Sequence, residues 1–140
     1  MNTNDQYCSP KQSLRVLLVE DDDADARLMT WYSGMLEHYS FELTRSHDVD
    51  AAFAELQAND YDLCLLDFWI GRHTSLRLLP YLDLPTNRTA TVVVSNISAE
   101  EVDTWRILSE RVIFLAKVDC SAKTLEGAVD SAIQSKSMAA

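Results

Sequence analysis

Three short runs of uninterrupted apolar residues constrain this chain more than anything else in it: Val16-Leu17-Leu18-Val19, Leu63-Cys64-Leu65-Leu66 and Val92-Val93-Val94. Each is of strand length and apolar at every position, so both faces of each strand must be covered. A parallel sheet with helices on both sides meets that demand. The strand candidates are Arg15–Glu20, Phe41–Arg45, Asp62–Asp67, Thr89–Ser95 and Val112–Lys117. Phe41-Glu42-Leu43-Thr44 alternates instead, which suits an edge strand with one wetter face.

Between the strands the apolar period becomes helical. Val49, Ala52, Phe53 and Leu56 fall at i, i+3, i+4 and i+7, and Leu125, Ala128, Val129, Ala132 and Ile133 repeat the spacing. Each set forms one stripe that can pack on a sheet. Leu28, Tyr32, Met35 and Leu36 predict an earlier helix, and Leu76, Leu79 and Leu82 a shorter one ended near Pro85. Val102, Trp105 and Leu108 form the weakest stripe. The order βαβαβαβαβα and right-handed crossovers predict a doubly wound α/β sheet of five parallel strands. At 140 residues one domain is expected, spanning 14–134, with flexible tails over 1–13 and 135–140 and no output domain after the last helix.

In such sheets ligands gather outside the carboxyl ends of the strands. Here those ends deliver Glu20 and Asp21 from the first strand, Asp67 from the third, Ser95 from the fourth and Lys117 from the fifth. Carboxylates brought together repel, which raises a pKa or calls for a cation. A hard ion such as Mg²⁺ fits, because it uses one or two carboxylates and keeps room for phosphate oxygens. Aspartate is also a covalent phosphoryl acceptor. Lys117 would then stand as a point charge on the incoming group, with Ser95 donating a hydrogen bond to it. Simpler roles compete at each position. Asp21, Asp22, Asp23 and Asp25 also suit the start of a helix, Asp67 a turn cap, Ser95 a helix or turn cap, and Lys117 a solvated strand end.

A formal net charge of −10 argues against a surface that seeks nucleic acid or anionic membrane. The longest apolar runs fall far short of the roughly 20 residues that span a bilayer, and Met1–Ser13 is polar, so a cytoplasmic location is expected. Cys8, Cys64 and Cys120 have no metal-ligand spacing, and Cys64 reads as a small buried hydrophobe. His38, His47 and His73 share no ligand spacing either.

The four strand-end motifs resemble the receiver domains of two-component response regulators. Val16-Leu17-Leu18-Val19-Glu20-Asp21-Asp22 is similar to that family's first strand and acidic pair, and Tyr61-Asp62-Leu63-Cys64-Leu65-Leu66-Asp67 to the strand ending in the phosphoacceptor. Val92-Val93-Val94-Ser95 and Phe114-Leu115-Ala116-Lys117 are similar to the segments carrying the switch hydroxyl and the lysine. The match runs from about Ser13 to Gln134. The resemblance implies a flavodoxin-like fold with strand order 2-1-3-4-5. It makes Asp67 the phosphoacceptor, Asp21 and Asp67 direct Mg²⁺ ligands, Glu20 a ligand directly or through water, and the backbone carbonyl of Trp69 a further ligand. Ser95 and Phe114 take the switch positions, coupling phosphorylation to the face formed by the fourth helix, fifth strand and fifth helix.

The implied partners are a sensor histidine kinase or histidine phosphotransfer protein and a downstream protein target, with homodimerisation open. Self-phosphorylation and slow self-dephosphorylation are the only catalysis implied.

Phe114 stands where tyrosine is commoner, Asn96 where a small residue is usual, Ser75 where glycine is common, and Val118 where proline follows the lysine. Bulky Trp69 and Ile97 flank the acceptor and switch positions and predict a long-lived phosphoryl-aspartate. Two other classes stay open. One is a receiver-like scaffold that signals without phosphorylation. The other is a flavodoxin-like cofactor binder, against which the acidic loop Glu20-Asp21-Asp22-Asp23 counts, because it repels phosphate.

Overall fold

In the computed structural model, which describes residues 10–71, 73–96 and 112–138, the three apolar runs lie side by side at the centre of one parallel sheet. Its strands are β1 (Gln12–Val19), β2 (Tyr39–Ser46), β3 (Leu63–Leu66), β4 (Ala90–Ser95) and β5 (Ile113–Ala116). They stand in the order β2-β1-β3-β4-β5, as expected. The alternating strand, β2, is an edge.

Two clusters explain why the central strands are apolar throughout. On one face Leu14, Val16, Leu18, Leu63, Leu65, Val92 and Val94 pack under α1 (Asp23–Ser33) and α4 (Ala122–Met138). On the other, Leu17, Val19, Cys64, Leu66 and Val93 pack under α2 (Val49–Ala58) and the short α3 (Leu79–Leu82), which follows a single tight turn over Ser75–Leu78. Successive side chains of a strand point to opposite faces, so a strand covered twice has no polar position left. Cys64 is one such core position, and burial pushes its thiol up to about 12. After β3 a two-residue hairpin pairs Trp69–Ile70 with His73–Thr74.

Polar residues set where the helices begin. Asp22 caps α1 by accepting from the Asp25 amide at 2.8 Å, and Asp48 caps α2 by accepting from the Ala51 amide at 2.7 Å. At α4 Ser121 and Thr124 cap each other, Thr124 N donating to Ser121 Oγ at 3.1 Å and Ser121 N to Thr124 Oγ1 at 2.8 Å.

Several expectations are corrected. β1 begins at Gln12, because all eight of its residues pair with β2, so Gln12 and Ser13 belong to the sheet and not to a tail. α4 continues to Met138, past Gln134, and Lys136 Nζ donates to the Leu82 carbonyl, tying the last turn to α3. α1 buries Ala26, Met29 and Ser33, while Leu28 and Met35 are exposed. The helix ends at Ser33, so Met35 cannot share its stripe, and the small Ala26 lets the helix lie close to the sheet. Phe53 is 36% exposed and meets Tyr81 edge-on, centroids 5.3 Å apart. The stripe of Val102, Trp105 and Leu108 lies outside the described residues, as does Ile97.

A candidate phosphoacceptor pocket at the carboxyl edge of the sheet

Strand register builds the site. Val19 lies beside Leu66, and Leu66 beside Val93. The ladder runs one step further on each side, with Asp67 N donating to the Val19 carbonyl at 3.1 Å and Glu20 N to the Ser46 carbonyl at 3.1 Å. Glu20 and Asp67 therefore emerge as neighbours on the carboxyl edge. Both are buried, as is Ser95 at the end of β4. β5 ends at Ala116, and a tight turn over Lys117–Asp119 sends the lysine back toward the two acids.

Lys117 Nζ lies 2.9 Å from Asp67 Oδ2 and 3.2 Å from Glu20 Oε1. Its shortest bond, 2.7 Å, goes to Asp25 Oδ2 on the first turn of α1. Oxygens of Glu20, Asp25 and Asp67 all lie within 4.8 Å of one another. Burial raises the Glu20 carboxyl to about 7, and the Asp67 charge adds to the rise while Lys117 opposes it. Burial on its own would depress the Lys117 ammonium. Its bonds to Asp25 and Asp67 and the Glu20 charge outweigh that, and hold it above the ordinary lysine value.

The four neighbouring aspartates have separate tasks. Asp22 is the cap of α1. Asp23 accepts from Arg45 Nη1 at 2.9 Å, and that bond lowers its carboxyl. Arg45 Nε donates to the Glu20 carbonyl at 2.9 Å, so one guanidinium braces the acidic loop. Asp21 is exposed and turned to the other side, where Oδ2 accepts from the Gly71 amide at 2.8 Å. Gly71 has φ +62°, a conformation that glycine adopts freely and that aims this amide at Asp21.

Of the residues singled out in the sequence, Glu20, Asp67 and Lys117 are thus in direct contact or bridged by one ammonium, and Ser95 is buried on the same edge. The Asp21 carboxylate stands outside the cluster that Lys117 bridges. Trp69 is half exposed and edge-on to Phe68, centroids 5.3 Å apart, and Phe114 is half-buried beside the α2-side core. Asp25 is the member that sequence reasoning left between helix and pocket. The available signal was its place three residues after the cap, the position that folds back over a helix start.

No family model matches the sequence, and no curated protein does. Solved structures do match. The signal receiver domain of an HD domain-containing protein from Pseudomonas fluorescens is 15% identical, with 93% of each chain covered and a TM-score of 0.73. A CheY-like response regulator receiver domain protein from Methanospirillum hungatei is 16% identical over 94% of this chain and 100% of its own, with a TM-score of 0.69. The receiver domain of a Francisella response regulator is 20% identical, covering 86% of this chain and 97% of its own, with a TM-score of 0.65. The chain has the receiver-domain fold. At these identities the likeness is one of backbone, so the chemistry has to be argued from the side chains. No helix among the described residues is long and apolar enough to cross a membrane.

Proposed function

We propose that this chain is a response-regulator receiver in which Asp67 accepts a phosphoryl group, with Mg²⁺ bound in the acidic pocket. The observation that carries the reading is the bridge from Lys117 Nζ to both Asp67 and Glu20, which joins three strand ends in one half-buried site. A carboxylate, a second carboxylate beside it and an ammonium within 3.2 Å are the parts that phosphoryl transfer to aspartate needs.

The donor set fits a divalent cation. When ionised, Glu20, Asp25 and Asp67 carry three negative charges against the single positive charge of Lys117, so two remain unbalanced. The Glu20 carboxyl is raised first by burial and then by the Asp67 charge, which a cation would offset, and oxygen ligands favour Mg²⁺. Glu20 and Asp67 would hold the ion with the Trp69 carbonyl, and Asp21 would join them on releasing the Gly71 amide. When bound, the ion supplies neutralising charge at the phosphoryl oxygens.

The rest is done by the chain's own groups. An Asp67 carboxylate oxygen forms a bond to phosphorus as the bond from phosphorus to the imidazole nitrogen of a phosphohistidine breaks, and the electron pair returns to that nitrogen. Lys117 donates to one phosphoryl oxygen and Ser95 to another. The donor is a sensor kinase or a phosphotransfer protein. Output passes by protein contact, through Ser95 and Phe114. Trp69, half exposed close to the acceptor, supports a slow loss of the group by limiting water. This is signalling chemistry with no metabolic turnover.

The test is direct. Incubation with Mg²⁺ and acetyl phosphate should add the mass of one phosphoryl group, and Asp67→Asn should abolish the gain. Metal binding with no adduct would overturn the reading in favour of a phosphorylation-independent scaffold.

A further inference from the structure

Lys117 has one more carboxylate partner than acceptance at Asp67 requires. An ammonium has three N–H donors, and here three carboxylates, Glu20, Asp25 and Asp67, use all of them. An incoming phosphoryl oxygen can bind Lys117 only if one of these bonds is released. Glu20 and Asp67 have side chains 3% and 10% exposed, so water cannot replace a lysine bond lost by either. The Asp25 side chain is 40% exposed and can turn to water. It also lines, with Lys117 and Asn96, an open groove of about 250 Å³ beside the pocket. The shortest of the three bonds is therefore the one most cheaply broken.

We propose that Asp25 is a positioning residue that gives Lys117 a resting partner outside the acceptor pair and so slows phosphoryl acceptance at Asp67. The inference rests on the reading of Asp67 as acceptor. Two effects act in the same direction. Asp25 competes with the phosphoryl oxygens for the ammonium, and its charge at the groove repels an anionic donor. Asp25 is not itself in the transfer step. With acetyl phosphate, the Asp67 oxygen–phosphorus bond forms, and the bond from phosphorus to the acetate oxygen breaks, its electron pair leaving with acetate.

Asp25→Asn keeps the size of the side chain and removes its charge. With saturating Mg²⁺ and acetyl phosphate, the variant should be phosphorylated about two- to fivefold faster, the scale of a partly exposed ion pair. Asp25→Glu should return the rate toward the original, and added salt should shrink the difference. A residue that only steadies the start of α1 would change the melting temperature and leave the rate alone, so an unchanged or slower rate in Asp25→Asn overturns the proposal. If the unaltered protein takes up no phosphoryl group, it is the acceptor reading that fails. The pairing itself is then read by NMR at one pH, from the chemical shift of Lys117 Nζ. A change of that shift in Asp25→Asn supports the resting contact, and an unchanged shift overturns it.

Discussion

Glu20 is the residue whose protonation the fold alters most usefully. Its carboxyl rises from an ordinary 4.5 to about 7, chiefly through burial and then through the Asp67 charge. Between those values the unfolded chain has released its proton while the folded chain still holds it. Stability of the magnesium-free protein should therefore fall as pH rises through this window. Thermal melts in a chelator across that range should show the decline, and Glu20→Gln should flatten it. Saturating Mg²⁺ should flatten it too, because the bound site favours the ionised carboxylate. A flat profile for the unaltered, chelated protein would contradict the assigned environment of Glu20. Lys117 has the opposite character, since its three carboxylates keep it charged throughout that range.

At the scale of elements, β3 is the part on which the pocket most depends. It has four residues, all buried, with both faces in core, and Asp67 follows it directly. Leu65→Ala should cost about 3 kcal/mol in denaturant unfolding, the ordinary penalty for a cavity in a well-packed core. Leu65 points to the same face as Asp67 two residues on and lies against Glu20, Asp67 and Lys117, so the variant should also accept a phosphoryl group more slowly. The turn after the hairpin holds a reverse case. Ser75 is fully buried and its amide donates to the Phe68 carbonyl at 2.8 Å, yet its hydroxyl has no partner among the described residues. Ser75→Ala should therefore stabilise the protein by about 1 kcal/mol, read as a higher denaturant midpoint.

For the molecule as a whole, charge is the leading variable. With a net charge of −10 and an acidic cluster at one edge of the sheet, divalent and monovalent salts should act differently. Sodium chloride can only screen the general repulsion. Mg²⁺ that binds the folded state alone should add about 2.7 kcal/mol at a hundredfold excess over its dissociation constant. The melting temperature should thus rise more in MgCl₂ than in NaCl of equal ionic strength, and less so in Asp67→Asn. Equal effects of the two salts would argue that the pocket holds no specific ion.

The sequence by itself determined the five strands, their covered faces, the parallel α/β architecture and the set of polar residues at the strand ends. Hydrophobic period reports burial locally, and a run such as Leu63-Cys64-Leu65-Leu66 can be satisfied only between two layers. Only the tertiary structure decided how α1 turns, that α4 runs on to Met138, and which carboxylates share the lysine. Asp25 and Lys117 are 92 residues apart, and Asp21 and Gly71 are 50 apart. Whether an aspartate caps a helix, pairs with an ammonium or holds a loop amide depends on distances between segments that no local period encodes. Four aspartates within five positions were therefore indistinguishable as letters; Asp22 caps its own helix, and the other three became distinct only when Arg45 on β2, Gly71 after β3 and Lys117 after β5 met them at the edge where β1 ends.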